Sequence, residues 1–128
     1  MTDQVPPGLR HQIVKAIQSL QQRIRWKPGK DTAHLATRIE YGHLPKDAKL
    51  ADYEAIISHI LHSQTAELFV YVWSKEIYPT VSNHYEDRQW IVMFTLDGIM
   101  ETAFPPTNPA EYLSSPRFRH IGTIQEVL

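Results

Sequence analysis

Residues 90–113, WIVMFTLDGIMETAFPPTNPAEYL, decide how the chain is read. Arg88 to Thr95 is apolar and β-branched, the composition of a strand. Asp97-Gly98 is a hairpin turn, because tight turns need residues that accept positive φ, and Ile99 to Phe104 is the return arm. Pro105 and Pro106 end the sheet, since proline has no N–H for a ladder. The return arm turns polar at Glu101-Thr102, just before that stop. Strand neighbours alternate between faces, so if Met100 and Thr102 share a face, Thr102 points the same way as Phe104. A threonine hydroxyl there suits donation to a substrate phosphate, and an ordinary β-branched strand residue would give the same pattern.

Working upstream, ELFVYVW (67–73) reads as a strand. Glu76 to Ser82 reads as another, with Pro79 expected to confine it to an edge, and Asn83 to Asp87 is a polar turn. Before residue 64 the apolar period is helical. Pro6-Pro7-Gly8 opens a helix carrying Leu9, Ile13, Val14, Ile17, Leu20 and Ile24 on one stripe, ended by Lys27-Pro28-Gly29. Asp31 or Thr32 is placed to cap a short second helix through about Glu40, which Gly42 breaks. A third runs from about Ala51 to Ser63, with His59 and His62 opposite its apolar stripe. Downstream, Glu111 to Leu113 is a helical turn, and the tail from Ser114 holds one more apolar run, suited either to a further strand or to a loose end.

Helices followed by an antiparallel sheet make an α+β fold rather than an alternating α/β one. The expected architecture is N-terminal helices packed on a roughly four-stranded antiparallel β-sheet. It forms one domain over 1–128, with a helical, basic part over about 7–63, a sheet over about 66–104 and a tail over 114–128.

Composition narrows the function. Cysteine is absent, which excludes disulfides, thiolate metal sites and a cysteine nucleophile. The opening MTDQVPPGLR lacks an apolar signal segment, and no run approaches the roughly 18–20 apolar residues of a membrane span, so a cytoplasmic protein without a membrane partner is expected. The net charge of −1 conceals a division: nine Lys/Arg stand against four acids in residues 1–50, and four against ten in residues 51–128. A basic half suits a phosphate-bearing ligand, or equally a helical layer docked on an acidic sheet.

Within the basic half, DTAHLATRIEYGHLPKDAK (31–49) places His34 and Arg38 four apart, on one face of a helix, with His43 and Lys46 close behind. Imidazole moves a proton near neutral pH. Guanidinium grips a phosphate through paired hydrogen bonds. A surface arginine and a helix-packing histidine would give the same spacing. Tyr41, beside this segment, and Tyr112, after the proline stop, are the aromatics expected to be exposed for base stacking; the remainder of the set Trp26, Tyr71, Trp73, Tyr78, Tyr85 and Trp90 alternates mostly within strands and reads as core. His59, His62 and His84 lack the spacing of a metal motif. No Gly-rich phosphate loop and no G-x-S-x-G elbow is present.

The order of these parts resembles the small ribonucleases grouped as the barnase–EndoU–colicin D–RelE-like superfamily. It comprises a basic helical half with H-x-x-x-R and a following Gly-His, then a sheet whose last hairpin reads W-I-V-M-F-T-L-D-G-I-M-E-T-A-F-P-P. The resemblance covers about residues 30–113. It implies a metal-independent endoribonuclease of toxin type, without cofactor, that uses the 2′-hydroxyl to leave a 2′,3′-cyclic phosphate. It implies RNA as substrate and an antitoxin or immunity protein as partner. On it, His34 transfers a proton, Arg38 clamps the phosphate, Thr102 stands as the late-strand hydroxyl, and His43 and Lys46 assist. Tyr41, Tyr112 and Glu101 are then the expected substrate contacts. The chain lacks the paired histidines of EndoU and the lysine- and arginine-rich strands of ribosome-dependent RelE relatives. The contrasting expectation is a non-enzymatic protein- or RNA-binding module that uses the basic half.

Overall fold

A computed structural model describes residues 6–128. Residues 1–5, on which part of the expected leaderless start rests, lie outside the described residues. Three helices come first: α1 (Pro7–Gln22), α2 (Lys30–Glu40) and α3 (Leu50–His62). Strands β1 (Glu67–Trp73), β2 (Glu76–Tyr85), β3 (Arg88–Phe94) and β4 (Met100–Phe104) follow. Then come the short α4 (Pro109–Leu113), β5 (Phe118–Thr123) and α5 (Ile124–Val127). The fold is α+β: helices, then an antiparallel sheet of five strands in the order β4-β3-β2-β1-β5. The fifth strand comes from the tail, which pairs with β1 from Tyr71↔Phe118 to Glu67↔Thr123 and so adds to the roughly four strands expected. Among the described residues no helix is long and apolar enough to cross a membrane.

The helices cover one face of the sheet. Ile13, Ile17 and Leu20 of α1 and Tyr53, Ile57 and Ile60 of α3 pack on Leu68, Val70, Val81, Val92 and Phe94. Each buried aliphatic side chain of this kind contributes about 1.5–3 kcal/mol by leaving water. The opposite face carries a smaller aromatic cluster around Ile91, Met93 and Phe118, against which Phe104, Tyr112 and Leu113 pack. α2 contributes little to either layer. Leu35 and Ile39 are half-buried, and the one residue of α2 that is buried outright is Arg38.

Several boundaries differ from the sequence reading. α1 stops at Gln22 rather than at Lys27-Pro28-Gly29. Arg23 turns to extended backbone (φ −159°), Met100 N–H donates to the Arg25 carbonyl at 2.8 Å, and Trp26 forms a parallel bridge to Met100. Pairing with the open edge of β4 outcompetes one more helical turn, and Ile24 leaves the stripe. α2 starts two residues before an Asp31-capped helix would, with Gly29 at its N-cap in the left-handed region (φ 81°) and no side-chain cap. Asp31 instead accepts from the Thr32 N–H at 2.8 Å. Pro79 lies in a central strand, not at an edge. It is tolerated because the β2–β3 ladder begins only at Thr80, so Pro79 is paired with Val70 of β1 alone. Asn83 to Tyr85 belong to β2, and the turn shrinks to Glu86-Asp87, with Glu86 at φ 56°.

The hairpin of residues 90–113 forms as read, with Gly98 at φ 78°, but its return arm holds a bulge. Phe94 pairs with Met100 while Met93 pairs with Thr102, so Glu101 is the extra residue. The bulge breaks the alternation on which a common face for Met100 and Thr102 depended. Met100 enters the helix-side core, whereas Thr102 joins Met93 and Phe104 on the other face.

Candidate active site at the α2–β4 edge

α2 lies along β4, the edge strand nearest the helical layer's rim. Its inward face presents His34 and, one turn later, Arg38. The Gly42 turn that ends α2 (φ 74°) returns the chain so that His43 N–H donates to the Arg38 carbonyl at 2.9 Å. The same turn brings the His43 ring beside the Arg38 side chain. Three expected residues, His34, Arg38 and His43, are thereby gathered at one place.

Arg38 is 7% exposed. Its guanidinium stands 5.4 Å from the centre of the Phe104 ring and 5.8 Å from that of Tyr41. One terminal nitrogen lies 3.0 Å from His43 Nδ1. Because arginine has only N–H groups to offer, His43 Nδ1 accepts and its ring proton sits on Nε2. The Arg38 Nε is buried without a hydrogen-bond partner, and among the described residues no carboxylate reaches the guanidinium. Burial pulls its pKa below the ordinary arginine value, yet a guanidinium remains charged at any physiological pH. The fold therefore holds a partly dehydrated positive charge without a counter-ion, an arrangement that favours an incoming anion.

Both histidines are pushed toward the neutral form. For His34 the largest cause is burial, followed by the charges of Arg38 and Lys30; the Glu101 carboxylate and main chain pull the other way. For His43 burial again leads, followed by Arg38 and Arg88. The His34 ring lies 5.7 Å from the Trp26 ring, and Trp26 donates through Nε1 to Glu54 at 2.9 Å. Tyr53, fully buried beneath, donates its hydroxyl to the Ala103 carbonyl at 2.6 Å, which ties β4 to α3. Burial pushes the Tyr53 pKa up to about 12, so it stays a phenol and a donor.

The remaining expected residues are more scattered. Glu101, in the bulge, lies close enough to influence His34. Thr102 is half-buried on the far face of β4, two residues before the Phe104 ring beneath Arg38. Tyr41 is 68% exposed at the rim, as read. Lys46 is exposed in the loop before α3. Tyr112 differs from its reading: it is half-buried, packed at 5.5 Å on both Phe104 and Phe118, because α4 folds it over the aromatic cluster. His62 turns back to its own helix, donating through Nδ1 to the Ser58 carbonyl at 2.8 Å, and His59 packs edge-on against Tyr85. Among the described residues no group of three His, Asp or Glu forms a metal site.

Trp26, Tyr53 and Phe104 were not singled out as site residues. The signal for Trp26 was its position inside the basic run RIRWK. Tyr53 and Phe104 read as ordinary core. Two clefts flank the cluster. One of about 480 Å³ opens at the His43 end, beside Asp52 and Arg88. The other, of about 760 Å³, opens at the Trp26 end. Comparison with family models, characterised proteins and solved structures finds no match for the chain.

Proposed function

We propose that the protein is an endoribonuclease that cleaves RNA by transesterification. The observation that carries this reading is the buried Arg38 guanidinium, without a carboxylate partner, one helical turn from a histidine whose pKa burial lowers. A phosphodiester supplies the missing anion. His34 takes the proton from the 2′-hydroxyl, whose oxygen attacks the adjacent phosphorus. Arg38 neutralises the charge that develops on the non-bridging oxygens. The bond to the 5′ oxygen breaks, leaving a 2′,3′-cyclic phosphate and a 5′-hydroxyl. His43, neutral with its proton on Nε2, can offer a hydrogen bond to the leaving oxygen, which takes its proton from water. Burial and then the Arg38 charge lower both histidines, and phosphate binding offsets the second of these, so each gains basicity as substrate arrives. Thr102 offers a hydroxyl and Tyr41 an exposed ring along the same edge, with Lys46 nearby in sequence.

Such an enzyme acts in the cytoplasm, where its substrate is. In a toxin, activity of this kind is held in check by an antitoxin or immunity protein, whose acidic side chains would cover Arg38. The test is incubation of purified protein with total RNA in EDTA, with and without His34→Ala, reading cyclic-phosphate ends. Cleavage lost on substitution supports the assignment. Equal cleavage by both proteins removes His34 from it, and no cleavage by a folded parent favours a module that binds without cutting.

A further inference from the structure

The larger cleft, at the Trp26 end of the cluster, is lined by Arg23, Arg25 and Lys27 together with Trp26, Asp31 and Glu54. Arg23 has extended backbone, and Arg25 and Trp26 are paired to Met100. An extended chain sends alternate side chains to opposite sides. Exposure follows that rule: Arg23, Arg25 and Lys27 are exposed, while Ile24 and Trp26 are half-buried. The three cations thus project on one side, separated by roughly 6.5 Å from the rise of about 3.3 Å per residue, a spacing comparable with that of successive phosphates on an extended single strand. The two acids in the cleft are already engaged: Asp31 accepts from the Thr32 N–H and Glu54 from the Trp26 indole. Among the described residues none of the three cations has a carboxylate within ion-pairing distance. Trp26 itself connects the cleft to the cluster through its contact with His34.

We propose that Arg23, Arg25 and Lys27 form a phosphate-binding comb for single-stranded RNA, holding the backbone that flanks the phosphate bound at Arg38. This rests on the ribonuclease reading of the His34–Arg38 cluster for the choice of RNA as ligand. The comb contributes affinity without base preference, because phosphate contacts carry no sequence information. Its fixed spacing favours unpaired RNA, which can follow an extended protein strand.

The test is binding of a fluorescent 2′-O-methyl oligoribonucleotide, which cannot be cleaved, across a salt series. The triple variant Arg23→Gln, Arg25→Gln, Lys27→Gln is compared with the parent and with Lys75→Gln at the remote β1–β2 turn. Each phosphate left without its cation lowers the slope of log K against log salt by about 0.7, so the triple variant should lose about 2 units of slope and bind at least tenfold more weakly at low salt. Lys75→Gln should match the parent. Misfolding would not produce a selective change in salt slope, and Lys27→Gln alone should show one third of the effect. An unchanged slope and affinity in the triple variant overturns the comb, as does a parent protein that binds no oligonucleotide. The outcome is independent of cleavage: a comb-dependent salt slope in a protein that never cuts RNA keeps the comb and removes the ribonuclease.

Discussion

Arg38 donates to His43 Nδ1 across 3.0 Å, and this hydrogen bond stands where an arginine of a folded domain would ordinarily meet a carboxylate. A neutral imidazole positions the guanidinium without cancelling its charge. The Phe104 and Tyr41 rings support it on two sides and also leave the charge intact. The cost falls on stability, because the buried Nε has no partner.

Arg38→Met should therefore leave stability within about 2 kcal/mol of the parent. Relief of an unsatisfied buried donor is worth about 1–3 kcal/mol, against about 0.5–1 kcal/mol for each of the two cation–π interactions and about 0.5–1.5 kcal/mol for the hydrogen bond to His43 that the substitution removes. Cleavage should fall to background in the same variant. Urea unfolding and RNA cleavage on one preparation check both. A loss of more than about 2 kcal/mol would mark Arg38 as a structural residue rather than an anion site.

Tyr53→Phe tests the support beneath the cluster. It removes the hydroxyl that satisfies the buried Ala103 carbonyl at 2.6 Å. Leaving that acceptor unpaired should cost about 1–3 kcal/mol, a fall of several degrees in Tm for a domain of this size. Calorimetry reads it directly, and a Tm within one degree of the parent, at about the noise of such a shift, would show that water replaces the phenol.

The two depressed histidines set the direction of pH dependence. In the unfolded chain they titrate near 6.5; in the folded protein both lie lower, chiefly through burial. Below 6.5 the unfolded state binds more protons, so stability should fall as the pH is lowered through 6.5 toward the folded values, and should level off above it. His34→Gln with His43→Asn should flatten that fall, measured as Tm from pH 8 to pH 5. The kcat/KM of the parent, which reports the free enzyme, should fall on the acid side with an inflection below the ordinary histidine value of 6.5, as His34 is protonated.

Thr102→Val keeps the β-branched shape and removes only the hydroxyl. Stability should stay within about 0.5 kcal/mol of the parent, as for other partly exposed strand positions. If the hydroxyl contacts the phosphate, kcat/KM falls at least tenfold, about 1.4 kcal/mol of transition-state stabilisation, and Thr102→Ser restores most of it. Equal activity in all three proteins would confine the site to the helix side of β4.

What was legible in the sequence was whatever depends on period and punctuation. The 3.6-residue stripes of α1 and α3, the β-branched and aromatic runs of β1 and β3 and the Asp97-Gly98 turn follow from local sterics and from the need to bury apolar surface, and they place the fold as α+β. The i, i+4 spacing of His34 and Arg38 likewise made their common face readable. What tertiary structure alone decided depends on partners distant in sequence. Pairing with β4 ends α1 at Gln22, and pairing with β1 turns the tail into β5. The register of β4 against β3 puts a bulge at Glu101 and so sends Thr102 to the face away from Met100. Above all, no local pattern says whether an arginine will find a carboxylate. Arg38 is left without one because the residues that close over it, Phe104, Tyr41 and His43, come from a strand edge and a loop brought there by the packing of α2 against β4.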